Sequence, residues 1–179
     1  MALFNSIAAA IERFSEWTGR AVAWLVLAMV LLICYDVAMR YFFQAGSVAL
    51  QELEWHLFSL IFLLGAGYTL KHDGHVRVDV LFQWQRVTAR HRAWIDVFGV
   101  LFLLWPFCAL IIWSSFPFVY NAYVFGEGSP DPGGLPYRFL LKAAIPLGFL
   151  LVAVQGLGHL IRNLQVLSEP GGPQPRREE

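Results

Sequence analysis

The chain has 179 residues, of which 58% are hydrophobic, 16% aromatic and only 15% charged. Soluble domains carry roughly 45–50% apolar and about 25% charged residues, so this composition points to a membrane protein. A formal net charge of zero excludes a broadly basic nucleic-acid surface, and Cys34 and Cys108, both in apolar runs without a CxxC, read as small buried hydrophobes.

At the start of the chain Phe4, Ile7, Ala8, Ile11 and Phe14 recur at helical spacing, with Glu12, Arg13 and Glu16 on other faces. This predicts an amphipathic helix on the inner membrane surface or on a partner. Crossing the hydrocarbon core takes about 20 mostly apolar residues, and four segments qualify, at about 21–43, 50–70, 93–116 and 138–161. In the first, Tyr35, Asp36 and Arg40 stand where a cleaved signal would have small residues. Asp36 and Arg40, four apart, are placed to pair.

The second span opens on "LQELEWHLFS", which puts Glu52, Glu54 and His56 at its outer end. Residues four apart share a helix face, so Glu52, His56 and Ser59 form one polar stripe that Gly67 continues, while Glu54 points toward headgroups or a loop. Such a stripe usually faces protein. Two readings stand: solvation of all three residues at the interface, or a buried contact between helices or subunits.

The loop that follows, "KHDGHVRVDVLFQWQRVTARHRAW", is long and basic. Val78, Leu81, Phe82 and Gln85 share a face, which predicts a second horizontal helix near 78–92, the alternative being a solvated basic loop. Asp96 suits the N-terminal end of the third span, and Pro106 and Pro146 predict local bends in the third and fourth. Between those spans, "NAYVFGEGSPDPGGLPYR" is rich in Gly and Pro and reads as tight turns. The tail 168–179 has no core-forming residue and reads as disordered, leaving one domain over 1–167.

Orientation follows from Lys and Arg. With both termini inside, ten of these residues lie in cytoplasmic regions and three (Arg40, Arg138, Lys142) lie outside, a strong positive-inside bias. The expectation is therefore an all-α membrane protein with four transmembrane helices, additional amphipathic surface helices and cytoplasmic termini. Cysteines introduced one at a time should react with an impermeant thiol reagent added from outside at 117–137. Strong outside labelling at position 86 or 176 would overturn the topology.

Catalytic chemistry has no support: there is no P-loop, HExxH or GxSxG pattern. His56 and His159 fall at opposite ends of their spans, unsuited to one haem. His72 and His75 in "HDGH" read as a metal pair or as a turn before a helix. The middles of all four spans are apolar, with no proton relay. No cofactor is expected. Arg138 and Lys142, one helical turn apart, stand at the depth of Glu52, and the expected brace is Glu52 with one of them. His56 would be the second member of that face, hydrogen-bonding there or meeting a partner.

Four stretches, "MRYFF" (39–43), "QELEW" (51–55), "FLLGAGYTLKHDGHVRVDVL" (62–81) and "SPDPGGLPYRFLLKAAIPLGFLLVAVQGL" (129–157), resemble the small membrane subunit of tripartite ATP-independent periplasmic (TRAP) transporters. The outer loop is similar to a branch associated with organic acids such as 2-oxo acids. Where the family often has two adjacent acidic residues, this chain has Gln51 and Glu52, leaving Glu54 outside the pattern. The resemblance implies a non-catalytic subunit of the bacterial inner membrane. It would brace a large multi-span subunit that holds the substrate and sodium sites, for uptake of an organic acid brought by a periplasmic solute-binding protein. Arg138 would lie close enough to the outer loop to touch that docking protein. Membrane lipid is the remaining expected partner. The alternative, from another class, is a small autonomous oligomeric channel or exporter.

Overall fold

The computed structural model describes residues 2–72 and 89–168. The expected surface helix over 78–92 lies mostly outside them, as does the expected disordered tail 168–179 except for Ser168, which is the last residue of a helix. Among the described residues the chain is all-α, with four helices long and apolar enough to cross a membrane. The elements are α1 (Ala2–Phe43), α2 (Val48–Lys71), α3 (Ala89–Phe98), a π-helical segment (Gly99–Leu104), α4 (Trp105–Val124) and α5 (Phe139–Ser168).

The N-terminal amphipathic segment is helical as expected, but it runs unbroken into the first span as one helix of 42 residues. At 1.5 Å per residue α1 is about 63 Å long, roughly twice the hydrocarbon thickness. Its polar side is occupied by its own chain. Ser15 Oγ donates to Gln155 Oε1 at 2.6 Å, with both side chains buried, and Glu12 pairs with Arg162 of α5. Glu16 receives Lys71 Nζ at 2.6 Å. Gly19 does not break the helix, since a mid-helix glycine costs only about 1 kcal/mol and this one makes room for the Tyr68 ring.

The third span begins with α3, passes through the π-helical segment and continues past Pro117 to Val124, beyond its expected end at 116. Pro106 explains the π segment. It has no N–H, and its ring would crowd the carbonyl four residues earlier. The wider turn relieves that, and the Trp105 N–H bonds the Val100 carbonyl, five residues back.

Helix α5 is the centre of the arrangement. It packs most extensively on α2, also on α1, α3 and α4, while α2 and α4 do not form a packed pair. The α2–α5 crossing relies on glycine. A Cβ at Gly148 would lie 2.6 Å from the Leu63 carbonyl oxygen, and one at Gly67 would lie 3.4 Å from the Leu151 backbone. Small residues let two backbones approach this closely. Large apolar side chains such as Trp24, Phe62 and Trp113 stay on the outside, where they need lipid or another subunit.

Candidate functional site

Glu52 sits one turn into α2 and is only 4% exposed. A buried carboxylate needs donors, because an uncompensated one is strongly destabilising. The donors come from the loop between α4 and α5. Ser129 Oγ donates to Oε1 at 2.5 Å, and the Leu135 N–H donates to Oε2 at 2.7 Å. One loop residue thus binds each carboxylate oxygen.

The loop is folded to present them together. The Gly134 N–H bonds the Asp131 carbonyl and the Ser129 N–H bonds the Leu135 carbonyl, each at 3.0 Å, closing a turn that brings 129 beside 135. Gly133 supplies the left-handed backbone at φ 81. Gly134 has no room for a side chain, since a Cβ there would fall 2.3 Å from Ser129 Oγ and 2.8 Å from Glu52 Oε2. The Arg138 N–H then bonds the Glu127 carbonyl at 3.0 Å, leading the chain into α5.

Of the two expected cationic partners, Arg138 approaches Glu52 only to 4.0 Å, a long ion pair without a hydrogen bond, and its guanidinium lies over the Trp55 ring. Lys142 does not reach Glu52. Its ammonium pairs with Glu127 at 2.5 Å and stands over the Phe118 ring at 3.8 Å. The reason is geometric: the folded loop carries Glu127 back to α5 and interposes Ser129 and Leu135 at Glu52. His56 shares the Glu52 face, and its Nδ1 lies 2.6 Å from the Glu52 backbone carbonyl. Glu54 is half-buried, and its Oε1 is buried with no hydrogen-bond partner among the described residues. Asp36 and Arg40 form the expected i,i+4 pair, with Asp36 fully buried and its Oδ1 unpartnered.

Ser129, Leu135 and Glu127 are the site residues that sequence reasoning missed. The turn signal at "SPDPGGLP" located the loop, but a backbone N–H donor such as that of Leu135 carries no side-chain signature. The same holds further along the bundle, where Ser15 with Gln155, and Trp105 Nε1 with the Ala153 carbonyl at 3.2 Å, join helices through residues with no motif. His72 lies 3.4 Å from Glu16 and beside the Tyr68 ring, whereas His75 is outside the described residues. Among the described residues no group of three His, Cys, Asp or Glu side chains converges on a metal position. What the arrangement around Glu52 can do is hold the loop rigidly on the end of α2.

The family model for the DctQ component of tripartite ATP-independent periplasmic transporters matches residues 29–166, from within α1 to near the end of α5. The isethionate TRAP transporter permease protein DctMQ of Oleidesulfovibrio alaskensis is similar at 26% identity over 147 residues, or 79% of this chain. The chain covers only 22% of the length of that relative. With four helices able to span a membrane and a family match that includes Glu52, the loop and Arg138, this chain belongs to the DctQ component family of tripartite ATP-independent periplasmic transporters, as a small membrane subunit.

Proposed function

We propose that this subunit braces a large transport subunit, and that the two together carry out sodium-coupled uptake of an organic acid delivered by a periplasmic binding protein. The observation that carries this reading is the relative named DctMQ, a permease protein in which the part similar to this chain is 22% of the whole. The remainder of such a protein is the natural counterpart of a separate large subunit. The disposition of polar groups supports the same reading. Glu52, Glu127, Arg138 and Lys142 are engaged with one another and with the loop at one end, and Glu12, Glu16, Lys71 and Arg162 join helices at the other. Between these ends the helices present large apolar side chains outward, a surface for packing and not for coordinating an ion or solute.

Both termini lie in the cytoplasm of a bacterial inner membrane in this reading, and the clamped loop faces the periplasm. Sodium and solute are held by the large subunit, and this chain is non-catalytic. The test is uptake in proteoliposomes. The purified chain alone should give no sodium-dependent solute accumulation, and co-reconstitution with the large subunit that co-purifies with it should restore accumulation. Sodium-driven uptake by the chain alone would overturn the bracing role, and sodium-independent flux would favour an autonomous channel.

A further inference from the structure

Helix α5 carries α2 on one flank and α4 on the other, and because those two do not pack together a groove is left between them at the loop end. It encloses about 270 Å³. Leu141 and Ile145 of α5, Leu63 of α2 and Phe118 of α4 give it apolar walls, and Arg138 and Lys142 stand at its head.

The two cations are incompletely used. The Arg138 side chain is 24% exposed, and its nearest carboxylate oxygen lies 4.0 Å away, beyond hydrogen-bond distance. A guanidinium has five N–H donors. Lys142 gives one donor to Glu127 and turns its ammonium to the Phe118 ring, so of its three N–H groups one is hydrogen-bonded to a carboxylate. Partly buried donors beside an apolar wall call for an acceptor that can enter the groove.

We propose that this groove is a phospholipid site. The phosphodiester takes Arg138 and Lys142, and one acyl chain lies along α5 past Leu141 and Ile145. The chemistry of the groove favours this occupant: Glu127 and Glu52 stand beside the two cations, but the Arg138 guanidinium has no hydrogen-bonded carboxylate, so its donors can take phosphate oxygens while hydrocarbon lies below. Guanidinium is well suited to phosphate oxygens. Trp55, beneath the Arg138 guanidinium, adds an indole of the kind that sits at headgroup level.

The test is native mass spectrometry of the full chain in mild detergent, titrated with phosphatidylglycerol. The double variant Arg138→Gln with Lys142→Gln removes the phosphate ligands, and Ser59→Phe fills the groove while keeping both cations. Each should weaken binding of one lipid by about tenfold or more, the scale of a lost charge-assisted contact. Arg20→Gln, an exposed cation at the opposite end, should bind as the parent does. Parent-like binding by Ser59→Phe, or an equal loss in Arg20→Gln, would overturn the site in favour of general surface attraction. A photo-crosslinking residue at Leu141, used in whole membranes, does not depend on how those variants fold. A phospholipid-mass adduct on the otherwise unaltered chain supports the proposal, and an adduct with a protein chain instead overturns it.

Discussion

Replacing Glu52 by Gln should release the 125–137 loop from α2 and destabilise the chain by about 3 kcal/mol, because two hydrogen bonds to a charged acceptor are each worth roughly 1.5–3 kcal/mol. The amide can still accept from one donor, but it sets an NH2 against the other. Ser129 Oγ and the Leu135 N–H reach different carboxylate oxygens, so one of them must lose its acceptor. Thermal unfolding in detergent and limited proteolysis of the loop would measure the two consequences. The double-mutant cycle identifies the partner. Glu52→Gln with Ser129→Ala should couple by about 1 kcal/mol or more, whereas Glu52→Gln with Arg138→Gln should couple by less, as expected of a long ion pair. If Arg138 couples more strongly than Ser129, the clamp is an ion pair after all and the hydrogen bonds are secondary. A loop whose cleavage is unchanged in Glu52→Gln would show that the carboxylate does not hold it.

Gly148→Leu should separate α2 from α5 and abolish a stable fold, and Gly148→Ala should already cost about 1–3 kcal/mol, the usual range for overpacking. The obstacle is backbone: the new Cβ would meet the Leu63 carbonyl oxygen at 2.6 Å, and no rotamer change relieves that. The gain in helix propensity from Gly to Ala is only about 1 kcal/mol. Gly99→Ala is the control, because nothing lies within 4 Å of a Cβ at that position, and it should change the unfolding midpoint little. If Gly148→Ala unfolds at the same midpoint as the parent, the α2–α5 crossing is looser than described.

The spans were legible because hydropathy is a local property. About 20 apolar residues in a row are readable without knowing any neighbour, and all four expected spans coincide with long helices to within a residue at their starts or fall inside them. Pairs one turn apart were readable for the same reason, so Asp36 and Arg40 were matched from spacing alone. Helix ends were less legible. The third span was expected to end at 116, yet α4 continues through Pro117 to Val124, since a proline within a membrane helix can be accommodated by its surroundings.

At the site, the sequence alone marked Glu52 as a polar residue on a face shared with His56, and it placed Arg138 and Lys142 at a matching depth. Depth along a helix follows from counting residues. Which acceptor meets which donor does not, because it depends on how a loop 77 residues away in the chain from Glu52 to Ser129 folds back. Only the tertiary structure decided that a hydroxyl and a main-chain N–H take the carboxylate, that Lys142 turns to Glu127, and that Glu54 keeps a buried oxygen without a partner. Composition and periodicity determined what kind of surroundings each helix needs. The pairing of specific atoms was decided by backbone approach, at Gly134 for the clamp and at Gly148 for the crossing, where the absence of a side chain lets two distant segments come together.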